Sequence, residues 1–511
     1  MMKSASIRRL CSLGLLLLVP PALSAAANWP NWRGPTQNGV IPNAQPPIEW
    51  SEDKNVKWKT PIAGSGLATP IVWGNRIFVL TAVPQDQAPQ AVASQERPQR
   101  GNRPGGPGGG GPGGGGFNRE AIMKEFDKNG DGELSQEERA AMRERFGGGQ
   151  RGGPGGGAGE RPRRGGGGGG GRPGPGPQSQ HAFKIIALDR STGDVLWSQT
   201  ARSETPHEGH HPTHGFASGS PVTDGERLWV SFGSRGIFCF DLDGKQLWDV
   251  DLGDLRTRNG FGEGASPALA GDLLLVLWDQ EDQSYLVALD KSTGEEAWRV
   301  ERDEPTSWTT PLVVEYEGRH QAIIPGANRT RSYDAATGEL IWEAGGLTAN
   351  IIPTPVVDDT HVYVMSGYRG RSVQAIRLDS KGDVTDTEAI SWSAPHSAPY
   401  VASPVLSNNR LYMNKSNDAY FTCFDARTGE VLYQDESLEG IRGIYASPLA
   451  ANGHLYVLGK EGTSVVLKDS DKFEIVATNT LDDPIDASPV IIGNELFIRS
   501  HTHLYCISND S

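Results

Sequence analysis

At 511 residues the chain can hold several average domains or one large repeat architecture. Its formal charge of -14, from 62 acidic against 48 basic side chains, leaves no basic surface to replace phosphate counterions and excludes general nucleic-acid binding. No apolar run has the length needed to cross a bilayer, so no membrane span is expected.

Residues 1–27 have a basic head (Lys3, Arg8, Arg9), a short apolar run and small residues ending near Ala27. That order is an export signal, so the mature protein is expected in a periplasm or outside the cell. Residues 28–84 begin "NWPNWRGP", contain "NVKWKT" at 55–60, which reads as a lone strand, and then two strands in "ATPIVWGNRIFVLTAV". The strand pattern stops after Val83. Residues 85–181 form an insertion rich in Gly, Arg and Pro, a composition that behaves as a solvated coil.

Inside that insertion, residues 118–146 read as an EF-hand with two short flanking helices. Asp127, Asn129 and Asp131 supply the first side-chain oxygens, and Gly132 permits the sharp bend. Glu133 offers its carbonyl, Ser135 acts directly or through water, and Glu138 closes the calcium shell with two oxygens. Because hands normally work in pairs and no second one follows, a weak site is expected, with a Kd of ~10⁻⁴ to 10⁻³ M.

From residue 182 to 511 the strand pattern resumes and repeats. Eight times Ser or Thr precedes a proline and a β-rich stretch, at Pro70, Pro221, Pro267, Pro311, Pro355, Pro404, Pro448 and Pro489. After the first interval the spacing is 41 to 49 residues, the size of one four-stranded propeller blade. A second signature follows each proline: "ALDRSTGDVLW" ends at Trp197, "CFDLDGKQLW" at Trp248, "ALDKSTGEEAW" at Trp298, "SYDAATGELIW" at Trp342 and "CFDARTGEVLY" at Tyr433. Gly193, Gly294, Gly338 and Gly429 suit a hairpin turn with positive φ, and the closing aromatic offers a flat surface for packing between blades. The expectation is an all-β, eight-bladed propeller of four-stranded antiparallel blades, with strand 55–60 completing the last blade and the α-helical EF-hand set in a loop of the first. Cys239, Cys423 and Cys506 share one repeat slot in separate blades, too far apart to pair.

The motif A-x-D-x-x-T-G-x-x-x-W resembles the tryptophan-docking repeat of the pyrroloquinoline-quinone (PQQ) type propellers. These include quinoprotein alcohol dehydrogenases and the lipoprotein propeller of outer-membrane β-barrel assembly. The repeat wording and "NWPNWRGP" also resemble secreted PQQ-like propellers of planctomycete-type bacteria. The resemblance implies either a binding scaffold with a protein or glycan partner, or a PQQ-dependent alcohol or sugar oxidoreductase with its cofactor in the channel. Two absences count against the enzyme: the dehydrogenases of this superfamily carry adjacent cysteines beside the quinone, and no two cysteines are adjacent here, nor is there a C-x-x-C-H haem site.

Rim loops offer a channel-face set for a cofactor: Arg258, Asn259, Glu263, Trp308, Asn328, Arg329, Arg369 and Lys415. Trp308 lies outside the repeat slot and is the best candidate for ligand contact. His207, His210, His211 and His214 crowd one loop and are candidate ligands for zinc or copper, although Pro206 and Pro212 rule out helical spacing. The expected function is calcium-linked binding or scaffolding, with PQQ catalysis as the alternative.

Overall fold

The computed structural model describes residues 28–85 and 179–509. The export signal and the EF-hand lie outside the described residues. The chain forms eight small antiparallel sheets arranged as the blades of a propeller. Blade 1 consists of Ile71–Trp73, Arg76–Pro84, His181–Asp189 and Val195–Glu204. Its second and third strands pair without a break from Arg76 opposite Asp189 to Pro84 opposite His181. Residues 85–180 therefore leave and re-enter the blade at the end of a complete ladder. Blades 2 to 7 each run inner strand to outer strand in chain order.

Blade 8 takes three strands from the end of the chain, and its outer strand is Val56–Pro61, paired antiparallel with His503–Ser508. Joining the two ends of the chain in one sheet removes the open edge that a linear array would leave. The longest interval after the first, Pro355 to Pro404, holds an added strand, Gly382–Asp383, which pairs in parallel with the outer strand of blade 4.

The core lies between blades rather than within one. Phe78, Leu80 and Ile185 of blade 1, for example, pack with Leu228, Val230 and Phe238 of blade 2. The repeat slot explains this packing. Across from each docking tryptophan stands a small residue: Ala187 opposite Trp197, Cys239 opposite Trp248, Ala288 opposite Trp298 and Ser332 opposite Trp342. Cys423 faces Tyr433 in the same way. The small residue leaves room for the indole to lean onto the next blade.

There the indole meets the hairpin glycine, where an added Cβ would stand 2.9 Å from Trp197 at Gly244, 2.8 Å from Trp248 at Gly294 and 2.6 Å from Trp392 at Gly429. In these three the indole N–H also donates to a carbonyl of the same turn: Trp197 to Leu242 (3.1 Å), Trp248 to Lys291 (3.2 Å) and Trp392 to Ala426 (2.8 Å). Trp58 in "NVKWKT" plays the same part at the closure, opposite Cys506, against Gly193 and donating to Arg190 at 3.0 Å. These indoles are structural. Cys239, Cys423 and Cys506 are free and buried, and burial raises the first two thiols to about 12.

Candidate functional site

The proline repeat builds the axis of the molecule. The Ser or Thr before each proline lines the central cavity, and in seven of the eight, all but Thr69, the hydroxyl accepts the backbone N–H of the corresponding residue in the preceding blade. The bonds run Thr69 to Ser220 (2.9 Å), Ser220 to Ser266 (2.8 Å), Ser266 to Thr310 (3.3 Å) and Thr310 to Thr354 (3.1 Å). They continue Thr354 to Ser403 (2.8 Å), Ser403 to Ser447 (2.9 Å) and Ser447 to Ser488 (2.9 Å). The result is a belt of hydroxyls linking neighbouring blades at one level. Proline next in sequence holds the preceding residue extended, which keeps each hydroxyl in register.

One end of this channel is closed by the amino-terminal segment. Trp29 bridges to Val72 of blade 1, and Thr223 of blade 2 donates its N–H to the Pro30 carbonyl at 2.9 Å. Three residues later the Arg33 guanidinium donates to the carbonyls of Pro404 and Pro448, on the opposite side of the ring, so the chain crosses the axis. Asn38 then makes two hydrogen bonds with the Val357 backbone, Val40–Ile41 pairs with blade 7, and Gln45 donates to the Gly493 carbonyl of blade 8. Arg33 is buried with carbonyls as its acceptors, and burial lowers its pKa to about 9. Trp32 forms part of the cavity wall at this closed end.

Above Trp32 lies a cavity of about 530 Å³ with contributions from all eight blades, within the range of small-molecule pockets. Its wall combines the hydroxyl belt with Phe261, Trp308, Tyr368, Tyr400 and Tyr445. Tyr368 and Tyr400 stack with centroids 4.9 Å apart. Asp486 is the one carboxylate in the wall. Its Oδ2 accepts from His501 Nε2 at 2.8 Å, while Oδ1 lies 3.3 Å from Lys460 Nζ and receives no hydrogen bond. Lys460 Nζ in turn sits over the Tyr445 ring at 3.4 Å from its centroid.

The predicted channel-face residues separate on inspection. Trp308 does line the cavity, its indole fixed by donation to the Gly262 carbonyl at 2.7 Å. Arg369 lies beside Tyr368, 5.4 Å from its ring, and Arg258 and the exposed Asn259 form a short 3-10 turn at the rim. None of these three is in the cavity wall, and the other four are held elsewhere. Arg329 is bound to Asp383 and Thr385, Lys415 to Asp435 at 2.6 Å, and the Asn328 amide to the Asp303 carbonyl. Glu263 lines a smaller cavity of about 40 Å³ that shares Ser218, Gly264 and Trp308 with the central one, and both its oxygens accept from Ser234, at 2.6 and 2.7 Å. Burial raises its pKa to about 7. These loop side chains pair with their own neighbourhoods, as polar groups at half-buried positions must.

The four histidines are likewise dispersed. His207 donates to the Leu255 carbonyl at 3.0 Å and accepts from Arg235, and His210 donates to the His211 carbonyl at 2.8 Å. His211 Nδ1 meets the Thr213 hydroxyl at 2.8 Å, and His214 donates Nε2–H to the Glu263 carbonyl at 3.1 Å. Among the described residues no three His, Cys, Asp or Glu side chains converge as a metal site. His211 and His214 instead belong to the cavity wall, and burial lowers the pKa of His214 to about 4. Asp486, the tyrosines and Trp32 carry no local motif. The hydroxyl belt does have a signal, the Ser or Thr before every repeat proline, whose meaning lies in the ring geometry.

The fold is an eight-bladed β-propeller built on a PQQ-like repeat. The family model described as "Outer membrane protein assembly factor BamB" matches residues 181–435. Tetrathionate hydrolase of Acidithiobacillus ferrooxidans is 23% identical over 294 residues, which is 53% of this chain and 53% of that protein, so the chain spans about half the length of this curated relative. The fold is shared with a europium-containing methanol dehydrogenase (TM-score 0.53, 9% identity, 94% of this chain and 98% of that one). It is also shared with the quinohemoprotein alcohol dehydrogenase of Comamonas testosteroni (TM-score 0.52, 7% identity, 95% and 81%).

Proposed function

We propose that the protein is an exported, calcium-binding propeller that acts as a binding scaffold and holds a ligand in its central cup. The observation that carries this reading is the cavity itself: closed by the amino-terminal segment, open on the side of the interblade loops, and lined by hydroxyls and aromatic rings from the whole ring. The family description, an assembly factor, supports a role in binding other proteins through the surrounding loops. Calcium is assigned to Asp127, Asn129, Asp131, Glu133, Ser135 and Glu138 on the strength of their sequence pattern.

The alternative, a PQQ-dependent oxidoreductase, meets a poor fit in the residues present. A tricarboxylate quinone needs cations around its carboxylates. Lys460 is committed to Asp486, while Arg329 and Lys415 are paired away from the channel, which leaves Arg258 and Arg369, at the rim near Tyr400 and Tyr368 and outside the cavity wall. Cys239, Cys423 and Cys506 are buried in three different blades, so none of them sits beside another.

Protein incubated with PQQ and calcium and then desalted tests this reading. The expected result is no quinone absorbance and about one calcium per chain, the stoichiometry of a lone hand. Retained quinone with a second calcium would replace the scaffold by the oxidoreductase.

A further inference from the structure

We infer that the ligand of the central cup is a neutral carbohydrate, taken by the end of its chain. The inference rests on the channel-site reading above and narrows it by chemistry. Seven hydroxyls of the belt already accept a backbone N–H, and none donates to another protein group among the described residues. Their hydrogens are therefore available to an acceptor in the cavity, and each oxygen keeps a second lone pair.

Asp486 supplies the complementary need. Its side chain is only 4% exposed, and Oδ1 lies in the cavity wall without a hydrogen-bond donor. Lys460 Nζ at 3.3 Å offsets its charge but makes no hydrogen bond to it, so a ligand that brings an O–H to Oδ1 would complete its bonding. An acceptor-only anion would satisfy the belt but leave Asp486 Oδ1 without a donor. A sugar satisfies both, because each of its hydroxyls donates and accepts.

The aromatic wall completes the match. Trp308, Tyr368 and Tyr400 provide flat apolar faces for the C–H side of a pyranose, beside the polar belt that would take its hydroxyls. The amino-terminal segment closes the far end at Trp32, so a polymer cannot thread through and only a chain terminus can enter.

The test is a glycan array followed by calorimetry with the soluble mono- and disaccharides it selects. Wild type, Asp486→Asn and Thr213→Trp are compared, with tetrathionate and PQQ as non-sugar probes. Asp486→Asn preserves side-chain volume, and Thr213→Trp places an indole in the cavity wall at the histidine loop; circular dichroism checks both folds. The expected result is a sugar that binds saturably to wild type, about tenfold or more weakly to Asp486→Asn, and not to Thr213→Trp. Sugar binding that survives Thr213→Trp would place the site outside the cup and overturn the inference. Tetrathionate or PQQ entering in place of any sugar, and blocked by Thr213→Trp, would overturn the carbohydrate assignment and leave the channel-site reading standing. Binding of no probe at all by the folded wild type would overturn both.

Discussion

The outer edge of the propeller and its axis use the same repeat in opposite ways. At the edge, the tryptophan slot locks blade to blade with a large apolar surface, and the indole N–H of Trp197, Trp248 and Trp392 is consumed by a neighbouring carbonyl, while that of Trp298 and Trp342 is buried without a partner. At the axis, the Ser or Thr slot also locks blade to blade, yet its hydroxyl has donor capacity left over after the structural bond is made. An interaction that exhausts its groups builds only structure. One that leaves a hydrogen free builds a wall that can also bind.

The largest effect expected from breaking this contrast is at the edge. Trp392→Ala removes an indole that stacks on Phe424, covers Gly429 and donates to the Ala426 carbonyl. It should cost ~3–5 kcal/mol in chemical denaturation, the usual range for deleting a packed tryptophan, with ligand binding at the axis unchanged in whatever protein remains folded. Ser447→Ala should cost less, ~1–3 kcal/mol, because it strands the buried Ser403 N–H without an acceptor. Unlike the edge variant, it should also weaken ligand binding.

A smaller effect separates two titrating groups beside the cup. The Glu263 pKa is raised to about 7 from 4.5, so the folded state holds its proton more tightly and this residue makes stability fall as pH rises from about 4.5 to 7. The His214 pKa is lowered to about 4 from 6.5, so its contribution has the opposite sign: stability present above 6.5 is lost as pH falls toward 4. The two slopes oppose each other in one window. Glu263→Gln should therefore leave the His214 slope uncovered, with stability rising more steeply between pH 4.5 and 6.5 than in wild type, as measured by denaturant titration across that range. The smallest effect on the propeller is expected from Glu138→Gln, which should abolish the calcium heat in calorimetry and leave propeller stability unchanged.

Much of this architecture is legible in the sequence because a propeller writes each contact eight times. The proline spacing specifies the blades, and the phase of "NVKWKT" relative to the last repeat specifies the closure. Trp58 could have been assigned to the docking set from that phase, since it falls where the outer strand of blade 8 is missing its aromatic.

The site is less legible, for a physical reason. A cup is made by residues that occur once per blade, or once in the whole chain, and only the ring brings them together. Asp486 looks like any loop aspartate, and Trp32 like part of an extended arm. Conversely, Arg329 and Lys415 looked available because sequence does not reveal that Asp383 and Asp435 already hold them. The histidine loop misled in the same way: residues adjacent in sequence diverge because each ring finds its own carbonyl or hydroxyl.

The central claim is that the axis is a blind cup, entered from the interblade loops and closed by the amino-terminal segment. The direct measurement is the rate at which a small thiol reagent labels Ser266→Cys, alone and combined with Thr213→Trp. The native thiols give little background, since burial raises Cys239 and Cys423 to about 12 and shifts Cys506 in the same direction. Labelling that is rapid in the single variant and falls to the native background in the double variant is the predicted result. An unchanged rate with Thr213→Trp in place would mean that the reagent reaches the belt from the other side, and the cup would not be closed.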